Sequence, residues 1–140
     1  MTINEVQDNI ISDFSISDDW MDKYDLLIDI GKNLPAIDPR FKTNDYLIEG
    51  CQSKVWLRPD YDGQKISFTA DSDAIITRGI VALLIKVLSY RTPDEIIGAE
   101  LYFIDRIGLR QNLSPTRSNG LLAMIRQIKL YAMAYRARKN

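Results

Sequence analysis

From Ala74 to Tyr90 the chain is apolar almost all the way round a helix, interrupted only by Thr77, Arg78, Lys86 and Ser89. A helix without a wet face has to be covered on most sides, so this stretch predicts a central helix with other elements packed about it. Its longest unbroken apolar run, Ile80 to Ile85, is far too short to span a bilayer, and no membrane partner is expected. A chain of 140 residues buries such a helix within one domain, and residues 1–140 are read as a single domain. No basic region precedes an apolar stretch near Met1, so no targeting signal is read and the cytoplasm is the expected location.

The surrounding elements follow from spacing. Ile3, Val6, Ile10 and Phe14 share one face of a short helix. Ser17-Asp18-Asp19 offers a cap to a second, in which Trp20, Tyr24, Leu27, Gly31 and Leu34 recur at steps of three and four. Pro35 and Pro39 end it and open a loop to about Asn44. Tyr46 to Glu49 is a candidate strand, Gly50-Cys51-Gln52-Ser53 a turn, Lys54 to Arg58 a β-rich run, and Pro59 to Gly63 turn chemistry. Ile66, Phe68 and Ala70 alternate with Ser67 and Thr69, which predicts a third strand with one wet face. Asp71-Ser72-Asp73 reads as the cap of the apolar helix, and Thr92-Pro93 starts another helix with proline at its first position. Phe103 to Leu109 is a short helical segment. Ser114-Pro115 opens the last helix, whose face carries Leu121, Met124, Ile125, Ile128 and Ala132. The expected fold is α+β, with helices packed around a small three-stranded antiparallel sheet and Cys51 at the connection between its first two strands.

The chain has one cysteine and no histidine. A disulfide within the chain is impossible, and so are a Cys–His dyad and a Ser–His–Asp triad. Zinc sites of the usual Cys/His type and an iron–sulfur cluster held by this chain alone fall with them. Nineteen acidic residues leave a carboxylate-only Mg²⁺ site open. The net charge of −1 hides a separation of signs: residues 1–50 sum to −7 and residues 51–140 to +6. The basic end lacks the interleaved aromatics of an RNA-binding sheet, so its cations are read as complementing a helix dipole and no nucleic-acid partner is expected.

Cys51 is the candidate for chemistry. Gly50 lets the backbone turn and leaves the thiol approachable, Gln52 and Ser53 supply polar groups, and Lys54 supplies a charge that favours the thiolate. A lone cysteine is also among the most buried and inert residue types, and spacing alone leaves both readings open.

Three blocks then resemble the SufE family of cysteine desulfuration proteins. They are Gly50-Cys51-Gln52-Ser53-Lys54-Val55-Trp56, Asp71-Ser72-Asp73-Ala74 with Arg78-Gly79 downstream, and Leu113-Ser114-Pro115-Thr116-Arg117-Ser118-Asn119-Gly120-Leu121 continuing into Met124-Ile125-Arg126. Trp20 with Tyr24, and Gly31 before Leu34-Pro35, fit as well. The order and spacing hold over nearly the whole chain, and the related CsdE branch shares the pattern. Asn112 stands where some relatives carry histidine.

The resemblance implies a SufE/IscU-like α+β fold and a sulfur relay. A pyridoxal-phosphate cysteine desulfurase, SufS-like or CsdA-like, strips sulfur from free cysteine and holds it as a persulfide. Cys51 accepts that sulfur, stimulates the enzyme and passes the sulfur to an iron–sulfur scaffold, SufBCD-like. The chain itself then needs no cofactor, because carbon–sulfur cleavage belongs to the partner's pyridoxal phosphate. Gln52, Ser53, Lys54, Asp73, Arg117 and Asn119 are the implied partner contacts. Asp73 doubles as a helix cap, Arg117 either pairs with acid on the desulfurase or anchors its loop, and Asn119 with Gly120 shapes that loop. Trp20, Tyr24 and Trp56 are read as core. A stand-alone thiol enzyme would need a base near Cys51, and an iron–sulfur scaffold would need more cysteines. The alternative is a non-covalent adaptor that activates a desulfurase by docking. Monomer and homodimer both remain open.

Overall fold

The computed structural model describes residues 1–138. Two N-terminal helices, α1 (Ile3–Phe14) and α2 (Trp20–Lys32), precede a hairpin of β1 (Val55–Tyr61) and β2 (Ile66–Ser72). Helices α3 (Ile75–Leu88), α4 (Pro93–Ile97), α5 (Phe103–Arg106) and α6 (Pro115–Arg138) follow. The apolar stretch is central as expected: α3 packs against α1, α2, α6 and β2, and every residue from Gly79 to Ile85 is buried. Each such Ile or Leu removed from water contributes about 1.5–3 kcal/mol.

Where α2 crosses α3, the backbones touch. A Cβ on Gly79 would lie 2.8 Å from Leu27 Cγ, and one on Gly31 would lie 2.9 Å from the Gly79 nitrogen. Both glycines are therefore demanded by the closeness of the two helices. The cap of α2 is where it was read, with the Asp19 side chain accepting from Met21 N at 2.9 Å; α4 starts with proline first as expected and adds a capping box of Thr92 and Glu95. Gln7 is buried and satisfied, donating to the Glu100 carbonyl at 3.0 Å and accepting from Phe103 N at 3.2 Å.

The sheet differs from expectation, with two antiparallel strands in place of three. Asn44–Tyr46 forms a 3-10 turn, which suits Asn and Asp better than a strand. Only Leu47 then bridges Trp56, with Ile48 N donating to the Val55 carbonyl at 2.8 Å. Turn chemistry was expected from Pro59 to Gly63, yet β1 runs on to Tyr61. Pro59 faces Phe68, whose N–H points away from β1 to Ser89 Oγ at 2.9 Å. At such a non-hydrogen-bonded pair proline's missing donor costs nothing. The outer edge of β2 is covered as well, since Ala70 N donates to the Pro35 carbonyl and Ile66 N to that of Arg91.

Candidate functional site

Cys51 lies in the loop that enters β1, and the loop is held at both ends. Gly50 sits at φ +92°, a conformation open to glycine, and a Cβ there would meet Ala123 Cβ of α6 at 3.3 Å. On the other side, Asp73 Oδ1 accepts from Lys54 N at 3.0 Å and Asp73 N donates to the Lys54 carbonyl at 3.3 Å. Asp73 is thus a clamp between the ends of the hairpin and not the cap of α3. That N-cap is Ala74, which has no side-chain cap, and the nearest substitute is Ser72 Oγ accepting from Ala74 N at 3.3 Å.

The hairpin end is braced further by Asp71, which accepts from Lys42 Nζ at 2.9 Å and Arg78 Nε at 3.1 Å. Burial raises the Asp71 pKa, but the Lys42 hydrogen bond and its companions outweigh this and hold it below the usual carboxylate value. Lys42 also stands 4.7 Å over the Trp56 ring.

The half-buried Cys51 thiol donates to the Gly120 carbonyl across 3.6 Å. Burial pushes the thiol's pKa up, and no cation counteracts it at rest. The expected help from Lys54 is absent: its side chain is exposed and the direction is the opposite of activation. A partly enclosed cavity of about 80 Å³ adjoins the sulfur. Of the residues predicted as acceptor or partner contacts, Cys51, Gln52, Ser53 and Arg117 line it together. Lys54, Asp73 and Asn119 are exposed and do not.

Asn119 and Gly120 were expected to shape a loop, yet both lie within α6. The thiol rests on the helix at Gly120, where a Cβ would make an ordinary 3.5 Å contact with Sγ. Spacing did not reveal Thr77, Ile80, Thr116 and Met124 as further walls of the cavity. Thr77 carried a signal all the same, as a polar residue within the most apolar helix of the chain. The aromatic pair of α2 acts at a distance: Tyr24 donates to the Asn112 carbonyl and fixes the turn before α6. Ser114 then caps α6 by accepting from Arg117 N at 3.3 Å.

Among the described residues no three Cys, Asp or Glu side chains stand close enough to hold a metal ion, and no helix is long and apolar enough to cross a membrane.

Fold and site together define an α+β protein that presents one half-sheltered thiol to a small polar cavity. The SufE family, described as an Fe–S metabolism associated domain, matches residues 8–132. An uncharacterized SufE-like protein of Rhizobium meliloti is 39% identical, over 87% of this chain and 91% of its own. Another, of Rhizobium etli, is 40% identical over 87% and 86%. A chloroplastic/mitochondrial SufE-like protein of Arabidopsis thaliana is 43% identical over 79% of this chain, which spans 30% of that protein's length. The solution structure of a hypothetical protein from Thermus thermophilus shares the fold, with a TM-score of 0.79 at 16% identity over 98% of this chain and 99% of that one. The chain belongs to the SufE family, whose domain is associated with Fe–S metabolism.

Proposed function

We propose that this protein is a covalent sulfur carrier that works for a cysteine desulfurase, with Cys51 as the acceptor. One observation carries the reading: the chain's single thiol lies on a loop beside a small cavity whose walls hold no carboxylate base and no second thiol. The cavity has no residue able to extract sulfur from cysteine, and a pyridoxal-phosphate enzyme, SufS-like or CsdA-like, supplies that chemistry. The carrier needs only to attack the outer sulfur of the partner's persulfide and release the partner's thiolate. With no second cysteine, the new persulfide cannot collapse into a disulfide within the chain.

At rest the thiol is half-buried, bonded to Gly120 and held toward its protonated form by burial, which suits a carrier that reacts only when docked. Docking then has to free the sulfur from that carbonyl and bring it a base, and the desulfurase site is the source of the base. Arg117, Gln52 and Ser53 surround the sulfur and make the first contacts with the partner; Lys54, Asp73 and Asn119 are exposed nearby and widen that surface. The sulfur passes to an iron–sulfur scaffold, SufBCD-like, in the cytoplasm.

Alanine release by a slow desulfurase tests the reading. Wild-type protein should raise turnover and saturate with concentration, while Cys51→Ser should dock without stimulating. Equal stimulation by the mutant would sink the relay and leave the non-covalent adaptor standing.

A further inference from the structure

Thr77 is 5% exposed and lines the Cys51 cavity from α3. A threonine within a helix commonly bonds a carbonyl of the preceding turn. The Thr77 hydroxyl bonds nothing among the described residues, and it is not sealed in, since Arg58 Nε is the one fully enclosed side-chain nitrogen or oxygen there without a partner. A hydroxyl left unpartnered on so deeply placed a residue costs stability unless a guest uses it, and the cavity that Thr77 lines is where a guest can sit.

We propose that Thr77 is a positioning residue for the transferred sulfur: its hydroxyl donates to the outer sulfur of a Cys51 persulfide, in a cavity that admits that atom and is too small to enclose bulkier adducts. The proposal rests on the carrier reading and names what holds the cargo. In loading, the Cys51 thiolate attacks the outer sulfur of a donor persulfide. One S–S bond forms as the donor's S–S bond breaks, the donor leaves as a thiolate, and no net oxidation occurs. The hydropersulfide left on Cys51 ionises more readily than a thiol, because the adjacent sulfur helps to carry the charge. Its outer sulfur is then an anion that only accepts hydrogen bonds. The Gly120 carbonyl, partner of the resting thiol, has no hydrogen to offer it; Thr77 has.

Few charges face this position. Arg117 of α6 is the one charged side chain in the cavity wall. Lys54 and Asp73 are exposed outside it, Arg78 of α3 is engaged with Asp71, and Glu49 and Arg126 line a separate cleft. Size adds selectivity. At about 80 Å³ the space is roughly half that of a cavity able to take benzene, about 150 Å³. A sulfur atom fits within it, whereas a glutathionyl group exceeds that volume and would have to extend through the open side past Gln52, Thr116 and Arg117.

The test loads Cys51 chemically with sodium tetrasulfide, in the full chain and with no desulfurase present. Alkylation by iodoacetamide is followed by mass spectrometry across the acid to alkaline range, separately for the outer sulfur and for the unloaded thiol. Thr77→Val should raise the midpoint of the outer sulfur by about one unit, as loss of a hydrogen bond to a charged acceptor implies, and leave the thiol's midpoint in place. Thr77→Ser should behave as wild type, and Thr77→Ala, which also lacks the donor, should repeat the valine result. An unchanged midpoint, an equal shift of loaded and unloaded forms, or failure of tetrasulfide to load Cys51 overturns the proposal. So does wild-type protein that reacts with oxidised glutathione as fast as a free cysteine does. Because loading is chemical, a desulfurase that never loads Cys51 would sink the carrier reading while the Thr77 result stood.

Discussion

The Cys51 sulfur rests 3.6 Å from the carbonyl oxygen of Gly120, with the thiol as donor, so the chain's one thiol leans on a helix at a residue that lacks a side chain. A second helical glycine, Gly79, also stands at a close approach, but there the neighbour is the body of α2.

The two glycines should answer substitution with opposite signs. Alanine is about 1 kcal/mol better than glycine in a helix. At Gly120 the added methyl makes an ordinary 3.5 Å contact with sulfur, so Gly120→Ala should be neutral or more stable, yet load sulfur several-fold more slowly. At Gly79 the methyl would fall within 2.9 Å of the Leu27 carbonyl carbon, in rigid backbone, and Gly79→Ala should lose about 1–3 kcal/mol net. Denaturant midpoints and persulfide yields measured on both variants check this.

The buried thiol should titrate above a cysteine in a short peptide. Iodoacetamide alkylation of the unloaded protein should be slow at neutral pH and reach half its maximal rate above the ordinary thiol value of about 8.5. Stability carries the same sign. Because the folded pKa is raised, Cys51's contribution is fully present below the unfolded value and is lost as pH rises through the folded one. Cys51→Ser should remove that alkaline loss. A midpoint at or below the peptide value would show an activated thiol instead.

Cys51→Ser should also separate chemistry from fold. The side chain is half-buried against the core, so its replacement is not free, but the melting temperature should fall by no more than about 5 °C. Sulfur acceptance should vanish. A much larger fall would mark Cys51 as a structural residue.

The Asp71 brace should appear at the acid end. Its folded pKa is lowered, so its contribution is present above the unfolded value of about 3.9 and is lost as pH falls through the folded one. Asp71→Asn should be less stable than wild type at neutral pH, with the gap closing in acid. A gap that persists in acid would trace the loss to something other than the carboxylate's charge.

Elements set by local pattern were legible in the chain alone. The apolar run of α3, the spacing of α1 and α2, the Asp19 cap and the Thr92-Pro93 helix start depend on neighbours a few residues away, and each appears where that pattern puts it. The family was legible as well, through three family-like blocks, one of which carries the single cysteine. Strand boundaries were less legible, because pairing depends on a partner. Pro59 looks like a turn until Phe68 is set opposite it with its N–H turned away. Tyr46 to Glu49 looks like a strand until a 3-10 turn takes its first residue.

The chain by itself thus determined an α+β arrangement around one apolar helix and a single thiol led by glycine, since both are written in residue type and short spacing. Only the tertiary structure decided how that thiol is held. Gly120 lies 69 residues from Cys51 in sequence, and Thr77 comes from a third element. Nothing in the spacing near Gly50 says that the sulfur will meet a carbonyl where Lys54 offered a charge. The contact exists because α3 and α6 close on the Cys51 loop, and burial, which shifts the thiol's proton affinity upward, arises only from that closure.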